Sequence, residues 1–108
     1  MTHINYHRDS HIVTATGHAG FAPVGQDIVC SAISILLYTL AADIGEGVEA
    51  GMVQRQDVQL NPGESAVSCV PHSAFKVPVT WMFDAVCSGF TLLAQQYPEF
   101  VSYTTHND

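Results

Sequence analysis

From Ile28 to Ala42 the chain carries no charge, and Ile28, Cys30, Ile33, Leu36, Leu37 and Leu40 spread around a helical projection. A helix apolar on nearly every side until Asp43 is expected to be buried and central rather than laid on a surface. Asp27 immediately precedes it as the natural N-cap, since a carboxylate there can accept bonds from first-turn amides. Gly45, Gly47 and Gly51 are expected to end it and begin a linker. The remainder of the 108 residues must then pack against this helix as one domain, residues 1–108, large enough to hold a core without disulfide or metal staples.

The flanking segments supply a sheet. Residues 3–8 alternate and stop at Asp9-Ser10, and residues 11–17 are rich in β-branched side chains and stop at Gly17, which reads as a hairpin. Residues 52–60 and 65–70 form a second hairpin about the Asn61-Pro62-Gly63-Glu64 turn. Pro71 to Pro78 is expected to be a loop, followed by a helix from Val79 to Tyr97 with Phe83, Val86, Cys87, Phe90, Leu93 and Ala94 at helical spacing. Pro98 stops that helix, and residues 100–104 add a last strand. The order β-β-α-β-β-α-β predicts an α+β fold: a mostly antiparallel sheet with two helices packed on one face.

Composition excludes several functions. The net charge of −7 leaves only Arg8, Arg55 and Lys76 as fixed cations, too few to neutralise several phosphates, so direct nucleic-acid binding is not expected. An acidic protein is better placed to steer a basic partner toward itself. No run reaches 18 uncharged apolar residues, so no membrane span is expected, and the N-terminus lacks the basic and apolar regions of a signal peptide. A cytoplasmic location follows as an expectation. Cys30, Cys69 and Cys87 are odd in number and lack paired spacing, which fits reduced thiols. With 47% apolar and 12% charged residues, part of the apolar surface is expected to lie under another subunit.

The chemistry concentrates between residues 17 and 34. His18 falls at the end of a predicted strand, and Cys30 falls in the first turn of the predicted helix. The glycine-containing loop between them can fold one onto the other. A thiol reacts as its thiolate, and a helix N-terminus beside an imidazole is where thiolates are stabilised. The dipole contributes about 0.3–1 kcal/mol, so a nearby imidazolium supplies the larger part. The same histidine can return a proton to a departing amine, and free amides at residues 28–30 could hold a tetrahedral oxyanion. The alternative for Cys30 is a small buried hydrophobe.

Gly17-His18-Ala19, Gly25, Asp27-Ile28-Val29-Cys30-Ser31-Ala32 and Ser34 resemble the signature of the ribosomal-processing cysteine protease family, Prp. The likeness runs along nearly the whole chain, to Gln96-Tyr97-Pro98-Glu99. It implies a thiol protease with Cys30 as nucleophile and His18 as base, no cofactor, and a homodimer. It also implies a substrate: the precursor of large-subunit ribosomal protein number twenty-seven, whose N-terminal extension is removed. Gly17 matches the glycine that lets the active-site loop move, Asp27 the acidic residue before the cysteine, and Ser34 the serine one turn after it. Asp27 is read as a cap, as a group orienting His18 or substrate, or as both. Ser34 either lines the site or is an ordinary helical serine bonded back to its own turn. The loop 19–26 is more apolar than the family's, and Phe21 and Val24 either form a lid or pack against the domain.

Other clusters receive structural readings. Cys69-Val70-Pro71-His72 has ligand-like spacing and could join His18 and Cys30, but nothing brings the pairs together, so no metal is expected. His3, His7 and His11 read as solvated strand histidines, Cys87 as core, and Trp81, Phe83 and Phe90 as core or dimer contact. Two further functions stay open: the same protease scaffold acting on another protein, such as a phage component, and a non-enzymatic dimeric ribosome-assembly module.

Overall fold

Five strands and two long helices account for the chain in a computed structural model that describes all residues, Met1–Asp108. They are β1 (Thr2–His7), β2 (Ile12–Thr16), α1 (Ile28–Glu49), β3 (Val53–Asn61), β4 (Glu64–Pro71), α2 (Lys76–Gln96) and β5 (Val101–His106). The sheet order is β3-β4-β2-β1-β5. All pairs are antiparallel except β1 with β5, which the α2 crossover makes parallel. The α+β expectation, mostly antiparallel with two helices, holds.

Strand alternation puts one face of the sheet inside. Ile4 and Tyr6, Val13 and Ala15, Val67 and Cys69, and Val101 are buried, and their neighbours in sequence carry the outer face. The helices complete the core with Val29, Ile33, Leu37, Leu40 and Ile44 from α1 and Val79, Phe83, Val86, Cys87 and Phe90 from α2. Both helices are long and apolar enough, by length and composition, to cross a bilayer. The inward side of each helix is core, whereas Ile28, Ile35, Tyr38, Trp81 and Leu92 lie exposed, so packing against the sheet accounts for only part of that apolarity. Gly89 lets α2 approach α1: a Cβ there would lie 2.8 Å from Leu36 Cδ2.

Helix α1 is not the fully buried rod expected. Ile28, Ile35 and Tyr38 are 59%, 62% and 55% exposed. A single sheet with two helices on it has no third layer, so each helix buries one side only. The helix also runs through Gly45 and Gly47 and stops at Ala50, with Gly51 at φ +74° just beyond. Gly47 serves packing, since a Cβ there would come within 2.9 Å of Val53 Cγ2. Helix α2 starts at Lys76 rather than Val79, which places Pro78 in the first turn, where its missing N–H removes no helical bond. Trp81 is 73% exposed and outside the core that Phe83 and Phe90 enter.

His11 also departs from its expected solvated role. It takes the left-handed conformation (φ 55°) in the β1–β2 turn and is buried edge-on against Phe83. Its Nε2 lies 2.7 Å from Thr80 Oγ1. Burial, the leading cause, and the positive charge of Lys76 lower its pKa.

Asp84 on α2 fastens the helix to β1. It accepts from Tyr6 Oη at 2.8 Å and from Arg8 Nη2 at 2.9 Å and Nε at 3.1 Å. The Arg8 contact is the main reason its carboxyl lies below the ordinary range. Asp84→Ala leaves the buried Tyr6 hydroxyl unpaired, so chemical denaturation at pH 7 should show a loss of about 1–3 kcal/mol. A carboxylate with a depressed folded pKa stabilises above its unfolded pKa, and that contribution disappears as pH falls through the folded value. The gap between wild type and variant should therefore narrow below about pH 4.

Candidate active site

Strand β2 ends at Thr16, and Gly17 turns the chain with φ +91°. Any side chain at Gly17 would strike the Met1 carbonyl oxygen. Its N–H donates to Gly63 O at 2.9 Å, joining this corner to the β3–β4 turn. His18 follows, exposed, with its ring against that turn: a Cβ on Gly63 would lie 2.7 Å from His18 Nε2. Gly63, at φ +76°, is therefore required both by the turn and by the imidazole. The sequence reading missed that second role, although Asn61-Pro62-Gly63-Glu64 marked the turn.

The loop after His18 is anchored at both ends. Ala19 is buried, and the Phe21 ring sits edge-on to Tyr97 and Phe100 at 5.6 and 5.3 Å. Phe21 thus packs against the domain, whereas Val24 stands free at the rim of the groove. Asp27 closes the loop onto α1. One carboxylate oxygen, Oδ1, accepts from the amides of Val29 and Cys30, both at 2.9 Å. The other, Oδ2, accepts from Phe21 N at 3.0 Å and Ala22 N at 3.3 Å. Burial acts to raise the Asp27 pKa, but these amide bonds and the Cys30 thiol outweigh it and hold the carboxyl below its usual range.

Cys30 is the third residue of α1 and half-buried. A groove of about 680 Å³ runs along this helix face and is lined by Gly17, His18, Val24, Asp27, Cys30 and Ser34. Ser34 is exposed and makes no bond back to its own turn, unlike Ser31, whose Oγ reaches Asp27 O at 3.1 Å. Ile35, Tyr38, Leu60 and Pro62 extend the groove with apolar surface that the sequence reading did not assign. The helical spacing of Ser34 and Tyr38 from Cys30 was the available signal.

The structure brings His18 and Cys30 to one groove without a hydrogen bond between them: the imidazole rests on Gly63, and the thiol neighbours Asp27. The amides of residues 28–30, expected to be free, are not all so. Asp27 occupies the amides of Val29 and Cys30, which leaves Ile28 as the one first-turn amide of the three without a partner. Cys69 and His72 lie outside the groove, so the four-ligand combination of His18, Cys30, Cys69 and His72 is not assembled.

Residues 1–102 match the family described as cysteine protease Prp. The ribosomal processing cysteine protease Prp of Mycoplasma pneumoniae is 30% identical over 93 residues, covering 86% of this chain and 85% of its own length. The essential ribosomal processing protease Prp from S. aureus, solved with a covalently linked product peptide, superposes with a TM-score of 0.73 at 18% identity over 97% of each chain. A Streptococcus mutans protein superposes with a TM-score of 0.67 at 28% identity, over 96% of this chain and 90% of its own.

Two measurements check this geometry. Asp27→Ala should cost about 1 kcal/mol through loss of the cap. It should also abolish hydrogen-exchange protection of the Phe21 and Ala22 amides while leaving the sheet protected. Cys69 and Cys87 are buried with thiols pushed up to about 11 and about 12, in each case chiefly by burial. Iodoacetamide at pH 8 should therefore label Cys30 alone in the native protein and all three thiols in guanidinium.

Proposed function

The chain belongs to the Prp cysteine protease family, and we propose that it uses Cys30 and His18 to remove the N-terminal extension from the precursor of large-subunit ribosomal protein number twenty-seven. The observation that carries this reading is the meeting of thiol and imidazole in one groove, on the two ends of a loop held by Asp27.

The extension lies along the groove, its apolar side chains against Ile35, Tyr38 and Leu60 and its backbone near Ser34 and Gly17. Peptide entry shifts the 18–26 loop so that His18 leaves Gly63 and reaches the Cys30 sulfur. The imidazole takes the thiol proton, and the thiolate attacks the scissile carbonyl, forming a C–S bond and a tetrahedral oxyanion. The Ile28 amide is the donor available to that oxyanion. The oxyanion collapses, the C–N bond breaks, and the imidazolium returns its proton to the departing amine. Water, deprotonated by the same imidazole, then releases the acyl group and restores the thiol.

Asp27 positions both ends of the loop. The net charge of −7 draws a basic ribosomal protein toward the groove. The exposed apolar sides of α1 and α2, with Trp81 and Leu92 among them, fit the homodimer that membership implies. A cytoplasmic setting fits three free thiols and the site of ribosome assembly.

Mass spectrometry of the extended ribosomal-protein precursor incubated with this protein tests the reading. Wild type should make one cut at the extension boundary, Cys30→Ala and His18→Ala none, and Cys69→Ala should retain activity. Failure of the folded wild type to cut, or equal cutting by Cys30→Ala, would refute it.

A further inference from the structure

The outer face of the sheet, at the end away from the groove, carries a cluster of side chains that the proteolytic chemistry does not use. In-register parallel pairing of β1 with β5 sets His7 directly opposite His106. Their rings stack with centroids 4.5 Å apart and planes 9° from parallel. The chain beyond β5 turns back so that Asp108 Oδ1 lies 2.7 Å from His7 Nδ1. The hydroxyl of Ser10, in the β1–β2 turn, donates to the Asp108 carbonyl and holds that return in place.

We propose that His7, His106 and Asp108 bind a divalent transition-metal ion of the zinc class. One ligating atom from each residue lies within 4.8 Å of the other two, and rotation of the two imidazoles out of their parallel stack turns their in-plane lone pairs onto a common ion. Two imidazoles and a carboxylate form a borderline nitrogen and oxygen set, which suits zinc or nickel and not the all-oxygen cations calcium and magnesium. Three protein ligands leave room for water to complete the coordination.

The surroundings prepare the ligands. His106 Nε2 lies 2.8 Å from Asn5 Oδ1. With that oxygen accepting from Nε2–H, Nδ1 keeps its lone pair for the ion, the outer-sphere arrangement common around metal-bound histidines. At His7 the ion takes the place of the proton shared with Asp108, and the ring carries its proton on Nε2 instead. Because both histidines are fixed by strand pairing, binding orders little new chain and joins the edge strand β5 to β1. The register places His3, opposite Thr16, at the end of β1 near the groove, and His7, opposite Ile12, at the other end, so this site is separate from the dyad.

Calorimetric titration of the Cys30→Ala protein with zinc chloride alone is the test, since removing the one incompletely buried thiol eliminates the strongest competing ligand. One equivalent should bind saturably and raise the unfolding midpoint by mass action. His7→Gln and His106→Gln, surface changes whose fold circular dichroism can verify, should weaken binding at least tenfold. Asn5→Ala should weaken it about 10–100-fold, and His3→Gln should leave it unchanged. No saturable binding, or binding undiminished in His106→Gln, would overturn the proposal.

Discussion

The Asp27 carboxylate holds the site together. It is buried, makes no ion pair, and accepts four backbone N–H groups, two from the loop it closes and two from the helix it starts. A buried anion without such partners would be strongly unfavourable, and here amide dipoles and the helix N-terminus take the place of solvent. Because the bonds point both ways along the chain, one side chain fixes where α1 begins and where the preceding loop lies. The capping reading of Asp27 holds, and its carboxylate bonds the Phe21 and Ala22 amides rather than His18: the bonds that cap the helix set Cys30 at one end, and the other two fix the loop between.

A second brace works from the opposite strand. The β3–β4 turn reaches across to Gly17 through a backbone bond and meets the His18 ring at Gly63. Both glycines sit at positive φ, and both face a neighbour that a methyl group would strike. Sheet order makes this possible. With β4 paired to β2, the second hairpin brings its turn beside the end of β2, where the loop departs. The active-site corner is thus assembled from segments far apart in sequence, with little side-chain bulk where they touch.

What was legible in the sequence was local. The hairpins, the Asp27 cap and the placement of Cys30 in the first turn each depend on a few adjacent residues with strong conformational preferences. Which side of α1 would remain open was not legible, because Ile35 and Leu37 are chemically alike and only the layer count separates the exposed one from the buried one. The same holds for His11, whose burial depends on Phe83 and Thr80 arriving from α2. Partial occupation of the expected oxyanion amides followed from the cap itself: one carboxylate oxygen serves two of them. Gly63 was visible as a turn residue, but its contact with His18 needs the tertiary fold.

These features together explain why a thiol can sit beside a carboxylate in a protease. Asp27 caps the helix through the Val29 and Cys30 amides, so its carboxylate neighbours the thiol. In this arrangement the thiol and the imidazole share no hydrogen bond, and the imidazole is held apart on Gly63. In the proposed mechanism activation depends on moving His18, and the segment between Gly17 and Asp27 is the hinge for that movement. Its glycines at 20 and 25 have open space around them, while Phe21 and Asp27 tether it at two points. A substrate long enough to fill the groove can supply the binding energy for that shift, whereas a short peptide cannot. On that mechanism, narrow specificity is a consequence of the same loop.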